Sequence, residues 1–81
     1  MQKYRTEFLQ YTSDDTIISN CNSIAFINGG AVPVTIDKFV LAAGAALAID
    51  GNENEINVTT YRITFAGATN GVLTVIRKHF V

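Results

Sequence analysis

Within one segment of the sequence, residues 59–65, polar and apolar side chains alternate strictly from residue 60 onward. Its apolar positions are Tyr61, Ile63 and Phe65. Alternation with a period of two in aromatic and β-branched residues is typical of a strand with one buried face. A second β-prone run, residues 71–77, follows the turn-forming segment 66–70. The two runs predict a β-hairpin near the centre of one small sheet.

The length of 81 residues limits the chain to a single domain, 1–81. A hydrophobic core of that size is marginal, and disulfides, a structural metal or oligomerisation commonly support it. Cys21 is the only cysteine and His79 the only histidine, which rules out an internal disulfide and a zinc site with the usual ligands. We therefore expect a homo-oligomer without a metal or other cofactor.

Charge and hydrophobicity indicate which classes of partner, nucleic acid, membrane or protein, this chain is expected to bind. The net charge is −1, whereas a nucleic-acid-binding domain normally has a basic surplus. Hydrophobic residues make up 48% of the chain and charged residues 16%, so neighbouring subunits are expected to cover part of the apolar surface. The longest apolar run, residues 39–49, is too short to cross a bilayer, and the N-terminus lacks the apolar core of a signal peptide. We expect neither a nucleic acid nor a membrane as partner.

Turn-forming residues divide the first part of the chain into short segments of β character. Residues 1–12 fit a helix face or an extended N-terminal arm or strand, and the extended form agrees better with the rest of the chain. Residues 16–19 and 23–28 predict strands. The second of these strands places three residues on one face, namely Ile24, Phe26 and Asn28.

Glycine and proline shape the expectations for residues 29–36. Gly29 and Gly30 predict a tight turn with positive φ angles. Residues 32–36 alternate as a strand does, and Pro33 has no N–H to donate to a neighbouring strand. This strand is therefore expected at the edge of a sheet, or with Pro33 directed away from a partner.

The segment 38–49 admits two interpretations. Its alanines and leucines favour a helix that Asp37 would cap. A helix would contain Gly44 near its middle, however, and Leu47 and Ile49 alternate with alanines. We favour two short strands around a bend at Gly44, with the helix as the alternative.

Between residues 56 and 65, the apolar residues change from even to odd positions in the sequence. Ile56 and Val58 occupy even positions, whereas the apolar residues of segment 59–65 occupy odd ones. One strand cannot bury both sets without an inserted residue, so a bulge or bend is predicted near residues 59–60.

The fold class follows from the spacing of these segments. Short β-prone runs recur about every ten residues between turn signals, which is typical of sandwiches, jelly rolls and small barrels. We predict an all-β fold, a small antiparallel sandwich or jelly-roll-like domain of about seven to eight short strands.

The polar segment 50–55 resembles a calcium-binding loop in part. Glu55 stands where such a loop requires glycine, and Tyr61 stands where it requires a bidentate acid. A solvated loop is therefore predicted, with no metal.

Candidate catalytic side chains are scattered. Cys21 has no neighbouring base to lower its pKa, and no indicated pocket would separate the pKa values of the paired acids Asp14 and Asp15. The glycines match no phosphate-binding pattern. The chain is predicted not to be an enzyme.

The C-terminal segment 77–81 combines basic and apolar residues. A basic cluster beside an aromatic residue could contact nucleic acid or an acidic partner surface, but a solvated strand end is the simpler interpretation. Phe80 and Val81 are apolar residues at a chain terminus, and such residues often pack on a neighbouring subunit. The candidate interface residues are Tyr4, Phe8, Phe80 and Val81.

The order of turns and strands resembles that of small all-β virion proteins of tailed bacteriophages. The resemblance is carried by segments 28–30, 32–36, 41–44, 59–65 and 73–78. It implies a jelly-roll-like subunit that assembles with copies of itself or with other capsid, portal or tail proteins. It also implies a virion protein that is made in the host cytoplasm.

Two functions remain open on this basis. The first is a non-enzymatic structural subunit of a bacteriophage particle (capsid, head-decoration or fibre, or tail-associated) that forms a homo-oligomer. The second is a small β module that binds carbohydrate or peptide, with Tyr4, Tyr11 or Tyr61 as stacking faces.

Overall fold

The computed structural model describes residues 3–52, 55–67 and 69–80, and within these ranges the chain forms eight β-strands and no helix. The strands are β1 (Tyr4–Tyr11), β2 (Asp15–Ile18), β3 (Ser23–Asn28), β4 (Val34–Ile36), β5 (Phe39–Leu41), β6 (Ala46–Ile49), β7 (Thr60–Phe65) and β8 (Leu73–Phe80). The expectation of an all-β domain with seven to eight short strands is confirmed. The extended form predicted for residues 1–12 is confirmed over Tyr4–Tyr11.

The strands form two antiparallel sheets of four strands each. The first sheet has the order β1-β8-β3-β6, and the second has the order β2-β7-β4-β5. Strand pairs are nested along the chain, because β1 pairs with β8, β2 with β7, β3 with β6 and β4 with β5. This order, in two sheets, is that of a jelly roll.

The predicted hairpin between residues 59–65 and 71–77 is wrong. β7 lies in the second sheet and β8 in the first, so the segment between them crosses from one sheet to the other. The backbone of Gly71 passes so close to the ring of Phe65 that a Cβ at this position would collide with it. Both strands have an apolar face, and these faces meet across the core instead of lying side by side in one sheet.

The core fills the space between the sheets with alternate residues of each strand. Phe26, Ile63 and Val75 are fully buried, and Tyr61 and Phe65 are 8% exposed, which confirms the predicted inward face of segment 59–65. The rings of Phe26 and Tyr61 meet edge to face, with centroids 5.2 Å apart. Aromatic pairs of this geometry add to the stability that burial provides.

A buried asparagine fixes the loops at one end of the sandwich. Asn28 is fully buried on the inner face of β3, as its parity predicted. Its Nδ2 donates to the carbonyls of Val32, at 2.9 Å, and Leu41, at 3.0 Å, and its Oδ1 accepts from the Gly30 N–H at 3.1 Å. Buried polar atoms that are satisfied in this way hold otherwise irregular backbone in one conformation.

Of the two alternatives for the strand at Pro33, the edge position is wrong, because β4 lies between β7 and β5. Pro33 stands just before β4, and its carbonyl accepts from the Ala66 N–H. The positive φ angles predicted for Gly29 and Gly30 are also wrong. Gly30 does not adopt a positive φ; it allows a close backbone approach, since a Cβ there would lie 2.5 Å from the Val72 nitrogen.

The segment 38–49 is two strands, as favoured above. β5 and β6 belong to different sheets, and Gly44, with a φ of 80°, lies in the bend that connects them. A left-handed φ of this size suits glycine, which explains why this residue interrupts the run of alanines.

The predicted bulge near residues 59–60 is wrong. Ile18 pairs with Thr60 and Cys21 bridges to Asn57, so the register is the same on both sides and no residue is inserted. The parity conflict is resolved by solvent exposure, because Ile56 and Val58 are 66% and 74% exposed.

Candidate functional site

The surface of the first sheet that faces away from the core is called the outer face of the first sheet. Residues alternate across a sheet, so this face carries the strand positions between those that pack into the core. Its residues are Tyr4, Thr6, Phe8, Gln10, Ser23, Ala25, Ile27, Ala46, Ala48, Thr74, Ile76, Lys78 and Phe80.

An apolar row crosses this face at right angles to the strands. Phe8 pairs with Ile76, Ile76 with Ala25, and Ala25 with Ala48, so one residue from each strand contributes to the row. Phe8 is 67% exposed. The row is asymmetric, because its two bulky side chains stand on β1 and β8 and its two alanines on β3 and β6.

A lysine flanked by aromatic rings lies at one end of the face. Tyr4 pairs with Phe80, and the Nζ of Lys78 lies 5.3 Å from the centroid of each ring. This distance is typical of a cation–π contact. Lys78 is the one charged residue on the strands of this face, within the ranges that the structure describes.

A shallow groove of about 210 Å³ lies beside this lysine. Tyr4, Ile76 and Lys78 form part of its lining, and Asp50 contributes to its rim directly after β6 ends. The groove therefore combines apolar walls with one cation and one carboxylate.

The outer face of the second sheet has a different composition. Threonines occupy its two inner strands, at Thr35, Thr60 and Thr64, and Arg62 stands among them. Its exposed aliphatic residues, Ile18 and Val40, lie on the edge strands β2 and β5. Polar residues thus separate the apolar ones, as on an ordinary solvated face.

The predicted interface residues mostly meet on the first of these faces. Tyr4, which is 59% exposed, and Phe8 lie on it, and half-buried Phe80 joins them. Val81 lies outside the described residues. Whether these residues form an interface stays a prediction. Sequence reasoning missed Ile76, Ala25 and Ala48, although the parity of residues 71–77 already sets Ile76 apart from the core positions.

The basic residues at the end of β8 do not form one cationic patch. Arg77 and His79 point to the inner side and contact the carboxylate of Glu7: Arg77 donates to Glu7 Oε1, and the Nε2 of His79 lies 3.0 Å from the same oxygen. Arg77 also donates to the carbonyl of Ile18 at 2.8 Å and so connects the first sheet to the end of β2. The hydrogen bonds from His79 and then Arg77 lower the pKa of Glu7.

The candidate catalytic residues take part in the packing and hydrogen bonding of the fold. Cys21 is 2% exposed, and burial raises the pKa of its thiol, so the reactive thiolate is disfavoured. Asp14 accepts from the Phe65 N–H at 2.8 Å, and Asp15 accepts from the Thr16 N–H at 2.7 Å.

Hydrogen bonds from the Asn22 side chain hold the loop that follows β6. Asn22 Nδ2 donates to the carbonyls of Asn52, at 2.6 Å, and Glu55, at 2.9 Å. Across residues 3–52, 55–67 and 69–80, no three His, Cys, Asp or Glu side chains gather as a metal site would require. The same ranges contain no helix that could span a bilayer.

One stacking residue of the alternative function is not accessible. Tyr61 is buried, and its hydroxyl accepts a hydrogen bond from Asn57 Nδ2 at 2.9 Å. Tyr11 is half-buried on the inner side, where it packs against the core. Only Tyr4 of the three presents an exposed ring.

The strand order and the two outer faces define the class of protein: an eight-stranded jelly-roll sandwich with one apolar outer face. Comparison of the chain with protein-family models, with curated proteins and with solved structures finds no match. The class therefore comes from the topology of this chain, and the resemblance to phage virion proteins stays a prediction.

Proposed function

We propose that this protein is a non-enzymatic structural subunit of a bacteriophage particle that assembles into a homo-oligomer through the outer face of its first sheet. The observation that carries the proposal is the contrast between the two outer faces. One is apolar around Phe8 and Ile76, and the other is rich in threonine.

Physical chemistry supports self-assembly through that face. A contiguous apolar patch on a small domain commonly marks an interaction site. The chain has no second cysteine with which to form an internal disulfide, and a core of this size benefits from a partner. Covering Phe8, Ile76 and Tyr4 with another subunit would supply the burial that one copy lacks.

The position in a virion rests on the sequence resemblance and agrees with the strand order. Jelly rolls occur in viral capsid proteins, but also in lectins and cupins, so the fold alone does not decide function. Capsid, head-decoration or fibre, and tail-associated positions all fit, with other virion proteins as further partners. Nucleic acid is not among the proposed partners, because Glu7 engages Arg77 and His79.

A carbohydrate- or peptide-binding module is the alternative function. The groove beside Tyr4 favours it, since an exposed aromatic ring next to Asp50 and Lys78 offers both a stacking surface and polar contacts. Binding on a glycan or peptide array that is lost in Tyr4→Ala would support this alternative.

Native mass spectrometry and light scattering after size-exclusion chromatography test the proposed function. The purified chain is measured alone at micromolar concentration and together with the products of its neighbouring genes. We expect a homo-oligomer alone and a mixed assembly in the presence of a partner virion protein. A monomer that binds none of these proteins would overturn the proposal.

A further inference from the structure

We infer that the outer face of the first sheet is covered by the same face of a second copy, about a two-fold axis parallel to the strands. The axis runs between β8 and β3. This inference rests on the proposed function, because it specifies how two copies of the chain contact each other in the proposed oligomer.

The edges of the sheets are poorly suited to pairing with another copy. β2, β5 and β6 are edge strands of three or four residues. β1 is longer, but Glu7 points to its inner side and is held there by Arg77 and His79. Short edges and inward-pointing charges are features that discourage strand addition. Association through a face remains.

The outer face of the first sheet is large enough for a specific contact. Four strands about 4.8 Å apart, with residues about 3.3 Å apart along each, give a flat footprint of roughly 400 Å². Two such faces, roughened by their side chains, would remove on the order of 1,000 Å² from solvent, which is about the minimum for a specific interface.

The asymmetry of the apolar row selects the orientation. An axis between β8 and β3 places Phe8 opposite the partner's Ala48 and Ile76 opposite the partner's Ala25. Each bulky side chain then meets a small one, which lets the two layers interdigitate. An axis across the strands would instead oppose Phe8 to the partner's Phe8.

Charge agrees with the same orientation. Lys78 pairs with Ser23 on β3, and Asp50 follows β6 at the level of that row. The two-fold axis therefore places Lys78 of each copy beside the partner's Asp50. The one cation on the strands of this face and the carboxylate at its rim would neutralise each other across the interface.

Paired substitutions test which face is covered. Phe8 and Ile18 are 67% and 63% exposed and lie on edge strands of the first and second sheet, respectively. In sedimentation equilibrium, Phe8→Asp should raise the dimer dissociation constant at least about 100-fold, because it places two charges in the apolar row that the partner covers. Ile18→Asp should leave the constant within about threefold, as expected for an uncovered site. Far-UV circular dichroism confirms that both variants fold.

Cross-linking tests the orientation without altering the bulky residues. In a Cys21→Ala background, the axis brings two copies of Ala25→Cys to about 11 Å and leaves two copies of Ala48→Cys about 17 Å apart. A short bismaleimide should link two copies of Ala25→Cys. It should link neither Ala48→Cys nor Thr64→Cys, which lies on the second sheet.

The outcomes separate this inference from the proposed function. An oligomer that survives Phe8→Asp and is not linked through Ala25→Cys overturns the inference and the role proposed for the outer face of the first sheet. It leaves the structural subunit standing. Efficient linkage through Ala48→Cys overturns the proposed axis. A chain that stays monomeric at every concentration contradicts both.

Discussion

The two outer faces of the sandwich differ although both belong to sheets of four antiparallel strands. On the first face, the inner strands carry Ile76 and Ala25, and an exposed phenylalanine stands on the edge. On the second face, the inner strands carry Thr64 and Thr35 at paired positions. Threonine has a β-branched shape that suits a strand and a hydroxyl that suits water.

The difference shows that strand formation alone does not require the apolar residues of the first face. The second sheet forms with threonine in the corresponding positions, so Phe8, Ile76 and the alanines are in excess of what the fold needs. An exposed apolar set of this kind commonly marks an interaction surface, which supports the proposed dimer.

After Phe8→Asp, the largest expected effect comes from adding bulk to the small half of the first face. Ala48→Phe makes this face more apolar, yet it should weaken dimerisation by about 30-fold, because the new ring would occupy the space of the partner's Phe8. The dissociation constant, measured by sedimentation equilibrium, checks this. The double variant Phe8→Ala/Ala48→Phe exchanges the two sizes and should recover most of the loss.

A face that is merely sticky would behave in the opposite way. In that case Ala48→Phe would lower the dissociation constant. The double variant Phe8→Ala/Ala48→Phe would then have a dissociation constant no closer to that of the wild type than Ala48→Phe has. Val40→Phe, on the second face, is the matched control and should leave the dissociation constant within about threefold.

A smaller effect, on the stability of the fold, is expected from Glu7, whose carboxylate lies on the inner side of β1. Hydrogen bonds from His79 and Arg77 hold the pKa of Glu7 below its usual value of 4.5. The folded state therefore binds this proton less readily than the unfolded state, and the stability that Glu7 contributes is present above the unfolded pKa. It is lost as the pH falls through the lower, folded value.

The melting temperature between pH 6 and pH 3 checks this expectation. Glu7→Gln should have a lower melting temperature than the wild type at pH 6, and the difference should shrink as the pH falls. Thr16→Gln, a neutral change at an exposed position of β2 in the second sheet, serves as the control. A constant difference between Glu7→Gln and the wild type would contradict the role given to the Glu7 charge.

The smallest effect is expected at Lys78. Lys78→Gln should raise the dissociation constant by less than about tenfold, since ion pairs at the rim of an interface contribute little. The loss should be greatest at low salt, because salt screens such pairs. Asp50→Asn should have an effect of the same size, and the double variant should be no weaker than either single one.

The parts of the fold that depend on local pattern could be predicted from the sequence. β7 was predictable because its inward residues, such as Ile63, alternate without interruption. The bend at Gly44 was predictable because glycine stands alone in an alanine-rich run that would otherwise favour a helix.

The parts that depend on strand pairing could not be predicted in the same way. β7 and β8 follow each other closely in the chain, which suggests a hairpin, but the choice of sheet depends on which apolar faces meet across the core. The apolar row of the candidate site has the same origin. Phe8, Ile76, Ala25 and Ala48 are far apart in the sequence, and only the register aligns them.

Hydroxyl-radical footprinting at increasing protein concentration tests most directly whether the outer face of the first sheet is covered. The oxidation of Tyr4, Phe8 and Ile76 should fall as dimers form, while the oxidation of Ile18 and Val40 on the second face stays constant. Two results would contradict the account: oxidation of the first face that does not fall with concentration, or protection of the second face alone.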